Sequence, residues 1–172
     1  MMLPRTILLS ILLFLVPALA QAQDTLPAPT GEVLLTVTGD IAATNAEEAA
    51  LFDLAMLEGL GITTFETTTT WTEGPQVFDG VAVATLMAAL GVEDGTLTAT
   101  AINDYSVEMP VTEMLASDAI IAFRQNGAEM SVRDKGPLWI VYPYDSDPEY
   151  RSETTYARSI WQLNRIAVEN EG

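Results

Sequence analysis

The sequence predicts a single domain of the α+β class, with short strands and helices alternating along the chain. Several short segments alternate apolar and polar side chains, as half-buried strands do. Two apolar-rich segments follow a residue suited to an N-cap and end at a glycine, which is typical of helices. No internal repeat is present, and the 172 residues suit one domain.

The N-terminal residues predict a secretory signal peptide. Arg5 precedes an apolar run at 7–16, and the small residues Ala18 and Ala20 favour cleavage after residue 20. Cleavage after Ala22 satisfies the same rule, and a retained anchor is the alternative, although the run is short for a membrane span. We therefore expect an exported protein with no membrane span in the mature chain. The expected organisation is a signal peptide at 1–20, a flexible leader at 21–30 and a folded domain at 31–170.

The amino-acid composition excludes several kinds of active site. The chain has no cysteine and no histidine, so it has no Ser-His-Asp or Cys-His machinery and no thiolate ligand for zinc, iron-sulfur clusters or molybdenum. Seven basic residues against 24 acidic ones give a formal net charge of −17. This charge argues against a nucleic-acid partner, because phosphate backbones are bound by lysine and arginine.

Alternation and caps define the elements of the N-terminal half. Asn45, with Glu48 three residues later, is typical of a helix start, and Gly61 of its end. Asp79 and Gly91 bracket a second apolar-rich segment in the same way. The predicted elements are a strand at 32–38, a helix at 45–60, a strand at 62–70 and a helix at 80–90.

The C-terminal half is predicted to consist mostly of strands. Asn126-Gly127 between two apolar segments is a strong signal for a two-residue hairpin turn. The segment at 138–142 is apolar throughout and predicts a buried strand. The predicted elements are strands at 97–102 and 105–109, a short helix at 111–115, hairpin strands at 119–124 and 128–132, and strands at 138–142 and 162–168.

All the basic residues that follow the predicted signal peptide lie near the C-terminus. Residues 24–123 contain sixteen acidic residues and no lysine or arginine. One interpretation is that the cations form surface ion pairs, which contribute little individually. The other is that several of them converge on an anionic or oxygen-rich ligand. The cations concerned are Arg124, Arg133, Lys135, Arg151, Arg158 and Arg165.

Two clusters suit contact with a flat heteroaromatic ligand. Trp71 lies on a loop that contains Gly74-Pro75, where its ring could stack on a ligand or cover the core. Asn103, Asp104 and Tyr105 lie between two predicted strands, where the amide and carboxylate could bond in parallel to a ring edge or simply form a turn.

Two further clusters carry cations. Arg133 and Lys135 are two residues apart, so on an extended segment their side chains would point to the same side, although pairing with nearby aspartates is the alternative. Arg158 and Ser159 precede the last predicted strand and together suit an oxygen-rich ligand, whereas Trp161 is expected to pack structurally.

The order of these clusters resembles the oxidoreductase molybdopterin-binding domain, the sulfite oxidase fold, from about Gly31 to Asn170. Within that fold, the chain resembles the short, exported, PruR-type periplasmic pterin-binding proteins. The resemblance rests on a Trp71-Thr72-x-Gly74 loop, Phe78-x-Gly80, Asn103-Asp104-Tyr105, Gly136-Pro137-Leu138 and Arg158-Ser159-Ile160.

The resemblance implies a mixed sheet with a few helices, and a cleft shaped for a pterin. Where the larger enzymes have Lys-Ser-Ile-Lys-Trp, this chain has Arg158-Ser159-Ile160-Trp161-Gln162, so the second cation is replaced by Trp161. The enzymes also bind molybdenum through a cysteine thiolate, which this chain lacks. A molybdenum centre of that kind is therefore not expected, and the chain is interpreted as a binding protein rather than an enzyme.

The implied function is periplasmic binding of a reduced, monapterin-like pterin, relayed to the periplasmic region of a membrane-bound diguanylate cyclase or phosphodiesterase. Two alternatives stay open: a periplasmic molybdopterin-dependent oxidoreductase component, and an interaction module that acts through its acidic surface. The implied ligand-binding residues are Trp71, Asn103, Asp104, Tyr105, Arg133, Lys135, Arg158 and Ser159.

Overall fold

The computed structural model describes residues 26–170; the predicted signal peptide lies outside them. The helices are α1 (Leu54–Gly59), α2 (Val83–Ala89), α3 (Val111–Ala116) and α4 (Glu153–Arg158), with a 3₁₀ turn at Pro148–Tyr150. The strands are β1 (Leu35–Gly39), β2 (Ala49–Phe52), β3 (Thr63–Thr67), β4 (Gln76–Ala82), β5 (Thr96–Ala101), β6 (Ser106–Pro110), β7 (Ile120–Gln125), β8 (Ala128–Glu129), β9 (Leu138–Val141) and β10 (Trp161–Glu169).

The strands form one mixed sheet in which β10 pairs with three strands, β1, β5 and β9. The strand order is β2-β1-β10-β9-β7-β4-β3, with β5 between β10 and β6, and β8 beside β7. β1 and β10 run parallel, and the other pairs are antiparallel. The predicted α+β class with a mixed sheet and a few helices is confirmed.

The core lies along the middle strands of this sheet. Every residue of β9 is buried, which confirms the buried strand that its apolar run predicts. Trp139 of β9 packs edge-on against Phe78 of β4, with 5.3 Å between ring centroids. The Trp139 ring also lies 5.8 Å from that of Trp71, in the loop after β3, and its Nε1 donates to the Ser159 carbonyl after α4.

The predicted helix at 45–60 is wrong in its first half. The Asn45 side chain accepts a hydrogen bond from the Leu51 amide at 2.7 Å and donates to the Leu51 and Pro27 carbonyls, both at 2.8 Å. The chain folds back there as β2, which pairs with β1 and buries Ala50 and Phe52. Asp53, not Asn45, caps the short helix α1.

The predicted helix at 80–90 begins three residues late, because the chain continues as β4 through Ala82. A Cβ on Gly80 would lie 2.4 Å from the carbonyl oxygen of Ile121, so glycine permits close approach of β4 and β7. Asp79 accepts a hydrogen bond from the Thr64 hydroxyl at 2.6 Å instead of capping a helix.

The remaining predicted elements are confirmed with shifted bounds. The strand predicted at 32–38 begins at Leu35, and the strand predicted at 62–70 ends at Thr67. The hairpin strand predicted at 128–132 is only two residues long as β8. Sequence analysis missed α4, whose N-cap Ser152 accepts a hydrogen bond from the Thr155 amide at 3.2 Å. This helix borders both cavities described below.

Residues 26–30, part of the segment assigned to a leader, contact the domain through backbone hydrogen bonds. The Leu26 amide donates to the Thr44 carbonyl at 3.2 Å. The amides of Thr30 and Gly31 donate to Oδ2 of Asp53 at 2.7 and 2.8 Å, while Oδ1 of Asp53 accepts from the Met56 amide at 2.9 Å. One carboxylate thus joins the start of the domain to α1.

Asp53→Asn is expected to lower the urea midpoint at pH 7. The backbone hydrogen bonds from Met56, Gly31 and Thr30 hold the pKa of Asp53 below its ordinary value. The carboxylate therefore contributes stability above about pH 4, which is lost as pH falls through the lowered folded-state pKa. The difference between wild type and variant should shrink in acid.

Urea unfolding at several pH values measures this difference. Asp94→Asn, at an exposed position, makes the same charge change and serves as the control. A wild-type advantage over Asp53→Asn that stays constant into strong acid would contradict the assignment.

Candidate functional site

A cavity of about 410 Å³ opens where the loop after β3, the β5–β6 turn and the α4–β10 junction meet. We call it the aromatic cavity, because two tryptophans and two tyrosines contribute to its wall. Within residues 26–170, its lining contains no charged side chain. The lining residues are Trp71, Ala101, Asn103, Tyr105, Tyr156, Ala157, Ser159, Ile160 and Trp161.

Trp71 lies at the centre of an aromatic cluster. Its ring centroid is 5.8 Å from that of Trp139, 6.2 Å from Tyr144, 5.8 Å from Tyr156 and 5.7 Å from Trp161. The interplanar angles run from 66° to 87°, the edge-to-face arrangement that aromatic rings prefer. Trp71 therefore packs on the core and also lines the cavity. Stacking on a ligand stays a prediction.

A hydrogen-bond network holds the floor of the cavity in place. The Tyr144 hydroxyl donates to Oγ of Ser159 at 2.6 Å, and this Oγ donates to the Thr155 carbonyl at 2.8 Å. Nε1 of Trp139 donates to the Ser159 carbonyl at 3.1 Å. Because its only proton goes to Thr155, the Ser159 hydroxyl can accept from a ligand but cannot donate to it.

Tyr144→Phe is expected to lower stability by about 1 kcal/mol at neutral pH, because Oγ of Ser159 loses its donor. Burial raises the pKa of Tyr144 to about 12. An unfolded tyrosine ionises near pH 10, so stability falls as pH rises from about 10 to 12. The variant should lose less stability over this range than the wild type does.

Urea midpoints between pH 8 and 12 measure this effect, with Tyr105→Phe, at an exposed tyrosine, as the control. Parallel alkaline profiles for wild type and Tyr144→Phe would show that the folded hydroxyl titrates as it does in the unfolded chain.

The β5–β6 turn brings Asn103 and Tyr105 to the cavity but turns Asp104 away. Oδ1 of Asn103 accepts a hydrogen bond from the Tyr105 amide at 3.2 Å, so the side-chain NH₂ keeps both protons for other partners. Asp104, with a positive φ of 66°, pairs with Arg165 at the surface. Only the first and third residues of this predicted cluster line the cavity.

The segment with Arg133 and Lys135 is a turn, so the prediction of an extended segment is wrong. The amides of Asp134 and Gly136 both donate to the Ser131 carbonyl, at 3.0 and 2.8 Å. Arg133 is exposed. Nζ of Lys135 lies 5.5 Å from the ring centroids of both Trp139 and Trp161, a cation–π arrangement. Lys135 therefore contacts Trp161, a residue of the cavity lining, without lining the cavity itself.

Four of the six C-terminal cations form ion pairs, in agreement with the interpretation that they pair with nearby carboxylates. Arg158, predicted beside Ser159 in one site, pairs with Glu113 at 2.7 Å and borders a different cavity. Of the eight predicted site residues, four line the aromatic cavity: Trp71, Asn103, Tyr105 and Ser159. The ion pairs are Arg124–Glu58, Arg151–Asp145, Arg158–Glu113 and Arg165–Asp104.

Two aromatic residues that line the cavity were not among the predicted ligand-binding residues. Trp161, expected to pack structurally, is 37% exposed and lines the cavity. Strand alternation does not predict this exposure, because residues two apart share a face and Leu163 is buried. The pairing register shifts between Trp161 and Leu163, where Gln162 has a positive φ of 54°. Tyr156 lies on α4, which the sequence analysis did not find.

Comparison with known proteins shows the fold and no more. The chain matches no protein-family model and no curated protein. Among solved structures, it is similar to the sulfane dehydrogenase SoxCD from Paracoccus pantotrophus, with a TM-score of 0.57 and 17% sequence identity over 80% of this chain. The chain has the sulfite-oxidase-like molybdopterin-binding fold. It spans 38% of the length of that dehydrogenase, and an identity this low carries no activity across.

This similarity confirms the fold that the motif order implies, while the narrower PruR-type subgroup stays a prediction. None of the helices within residues 26–170 is long and apolar enough to cross a membrane.

Proposed function

We propose that the aromatic cavity binds a reduced pterin, and that the protein acts in the periplasm as a pterin-binding protein without chemistry of its own. The observation that carries the proposal is an uncharged, largely aromatic cavity in a protein of net charge −17. Such a wall favours a flat, neutral ring over an ion, because no fixed charge repays the desolvation of a charged ligand. The volume is within the range of small-molecule sites.

The lining suits the two kinds of contact that a pterin needs. Trp71, Tyr156 and Trp161 offer aromatic surface for stacking on the bicyclic ring. The Asn103 side-chain NH₂ is available to the 4-oxo oxygen, and the hydroxyl of Tyr105 can donate or accept at the ring edge. Asp104, which pairs with Arg165, supports the turn that presents these two side chains.

The residues present do not fit a complete molybdenum cofactor. The chain has no cysteine to supply a thiolate, and the cavity lining described above has no lysine or arginine for the terminal phosphate of molybdopterin. A pterin without the phosphate and metal needs neither group. The donor set of the cavity therefore supports binding of the organic ring alone.

Occupancy of the cavity would be relayed to the periplasmic region of an inner-membrane cyclic-di-GMP enzyme. This part of the proposal is supported by the signal-peptide pattern and by the resemblance to PruR-type proteins. A ligand shifts the affinity for a partner only if the partner binds the loaded form differently from the empty form. Tyr105 and Trp161 line the cavity and are exposed. A ligand in the cavity would therefore alter a surface that a partner can contact.

Tryptophan fluorescence titration with tetrahydromonapterin under anaerobic conditions tests the proposal. We expect saturable quenching and roughly tenfold weaker binding by Asn103→Leu, because one ligand hydrogen bond is lost. Asn170→Leu, at an exposed asparagine near the C-terminus, is the matched control. Absence of saturable binding up to millimolar pterin would reject the proposal.

Metal analysis of the protein purified from its native host separates binding from the oxidoreductase alternative. We expect released pterin without stoichiometric molybdenum. One molybdenum per chain, together with electron transfer to an acceptor dye, would establish the enzyme instead.

A further inference from the structure

A second cavity, of about 420 Å³, borders α4 and is chemically unlike the first. We call it the polar cavity, because hydroxyl and charged side chains form most of its wall. Helix α4 contributes Tyr156 and Ala157 to the aromatic cavity, but Thr154, Thr155 and Arg158 to the polar one. Its remaining lining residues are Glu113, Ala116, Ser117, Tyr142, Asp147, Glu149, Tyr150 and Ser152.

Arg158 presents unused donors to this cavity. Its side chain is only 19% exposed, and Nη1 lies 2.7 Å from Oε2 of Glu113 in an ion pair, while the Glu113 side chain is 56% exposed. A guanidinium has five N–H donors, and this ion pair is the one that Arg158 makes with the described residues. A largely buried guanidinium held by a single, more exposed carboxylate can accept a ligand carboxylate as a second partner.

Two further carboxylates make the wall acidic. Oδ1 of Asp147 accepts from the Glu149 amide at 2.8 Å, which leaves Oδ2 to face other partners. The Glu149 side chain is exposed at the same wall. With Glu113 these groups set three carboxylates against the single cation Arg158. The balance favours a ligand that carries more positive than negative charge.

The tyrosines of the wall also suit a cation beside an apolar chain. The rings of Tyr142 and Tyr150 have centroids 5.6 Å apart and form a continuous aromatic surface. Tyr142 is 3% exposed, and its hydroxyl bonds to Sδ of Met114 at 3.2 Å. A thioether is a weak acceptor, so the Tyr142 hydroxyl would donate more strongly to an oxygen of a ligand than to Met114.

We propose that the polar cavity binds a free basic amino acid such as arginine. Its carboxylate pairs with Arg158, and its ammonium and guanidinium groups reach Asp147 and Glu149, with the alkyl chain against the tyrosine rings. A ligand with one negative and two positive charges fits the composition of this wall better than a simple anion or a neutral molecule. The inference does not depend on what occupies the aromatic cavity.

Isothermal titration calorimetry at low ionic strength tests the proposal with arginine and its decarboxylated analogue agmatine. We expect wild type to bind arginine at least tenfold more tightly than agmatine, because only arginine offers a carboxylate to Arg158. Arg158→Met should abolish this preference, while Arg158→Lys should retain part of it. Asp147→Asn combined with Glu149→Gln should weaken both ligands.

The control for bulk charge is Glu93→Gln combined with Asp94→Asn, an exposed acidic pair with the same loss of charge. This control should bind arginine as wild type does. Thermal unfolding of each variant establishes that it is folded, and Arg158→Lys preserves the cation if Arg158→Met does not fold.

Four results would overturn the proposal. Three of them are no arginine binding by folded wild type, equal binding of arginine and agmatine, and equal loss of binding in the control double variant. Equal binding of arginine and of arginine blocked at both backbone ends would also overturn it, since it would indicate docking of a protein side chain. The pterin titration on the same preparations reports separately on the aromatic cavity.

Discussion

Trp71→Ala is expected to weaken pterin binding by about 10- to 100-fold, since stacking of a heterocycle on an aromatic side chain is worth about 1–3 kcal/mol. Trp71 touches four other aromatic rings, so its loss removes one wall of the aromatic cavity and loosens the opposite ones. The same change should cost about 2 kcal/mol of stability, less than for a fully buried tryptophan, because Trp71 is only half-buried.

The variant lacks one of the three tryptophans, so its fluorescence signal cannot be compared directly with that of wild type. Calorimetry with the reduced pterin therefore measures the binding, and urea unfolding measures the stability. Trp71→Phe keeps an aromatic face and should retain most of both. If Trp71→Ala binds the pterin as tightly as wild type while folded, stacking on Trp71 is not part of recognition.

Local signals in the sequence were sufficient for most of the strands, but not for β4 or for the chain reversal near residue 50. Alternation over a few residues predicts β5, β6 and β10, because burial of one face is a local property of the pattern. The Asn45 signal is also local, and its side chain does make a turn-stabilising bond. Pairing of β2 with β1 is a tertiary interaction, and it overrides the helical tendency of the alanine-rich segment.

The composition of the aromatic cavity was predictable in part. Trp71, Asn103 and Ser159 come from three distant segments, and the family resemblance brought them together where spacing could not. Arg158 was misplaced for a physical reason. Arg158 and Ser159 are consecutive at the end of α4, where successive side chains point about 100° apart, so one faces the polar cavity and the other the aromatic cavity.

Charge was a weaker guide than the clustering of cations suggested. An acidic chain surrounds each arginine with carboxylates, and four of the six C-terminal cations are paired with one. Lys135 instead lies against indole rings, a contact that depends on β9 and β10 being neighbours. The proposed pterin site therefore consists of neutral groups, although the sequence pointed first to cations.

Trp139→Ala is expected to have the largest effect on stability, about 4 kcal/mol, because it empties the volume of a fully buried indole in the middle of the sheet. Such a loss is a large part of the 5–15 kcal/mol that ordinary domains have. Trp139 contacts Phe78 in the core and Trp71 at the cavity, so pterin affinity should fall with it even though Trp139 does not line the cavity.

Trp139→Phe separates packing from hydrogen bonding. It keeps most of the apolar volume but leaves the buried Ser159 carbonyl without the Nε1 donor, so we expect a smaller loss, about 1–3 kcal/mol. Urea unfolding monitored by far-UV circular dichroism measures both variants. If both variants lose less than about 1 kcal/mol of unfolding free energy, Trp139 does not stabilise the aromatic cluster. Other core residues must then hold Trp71 in place.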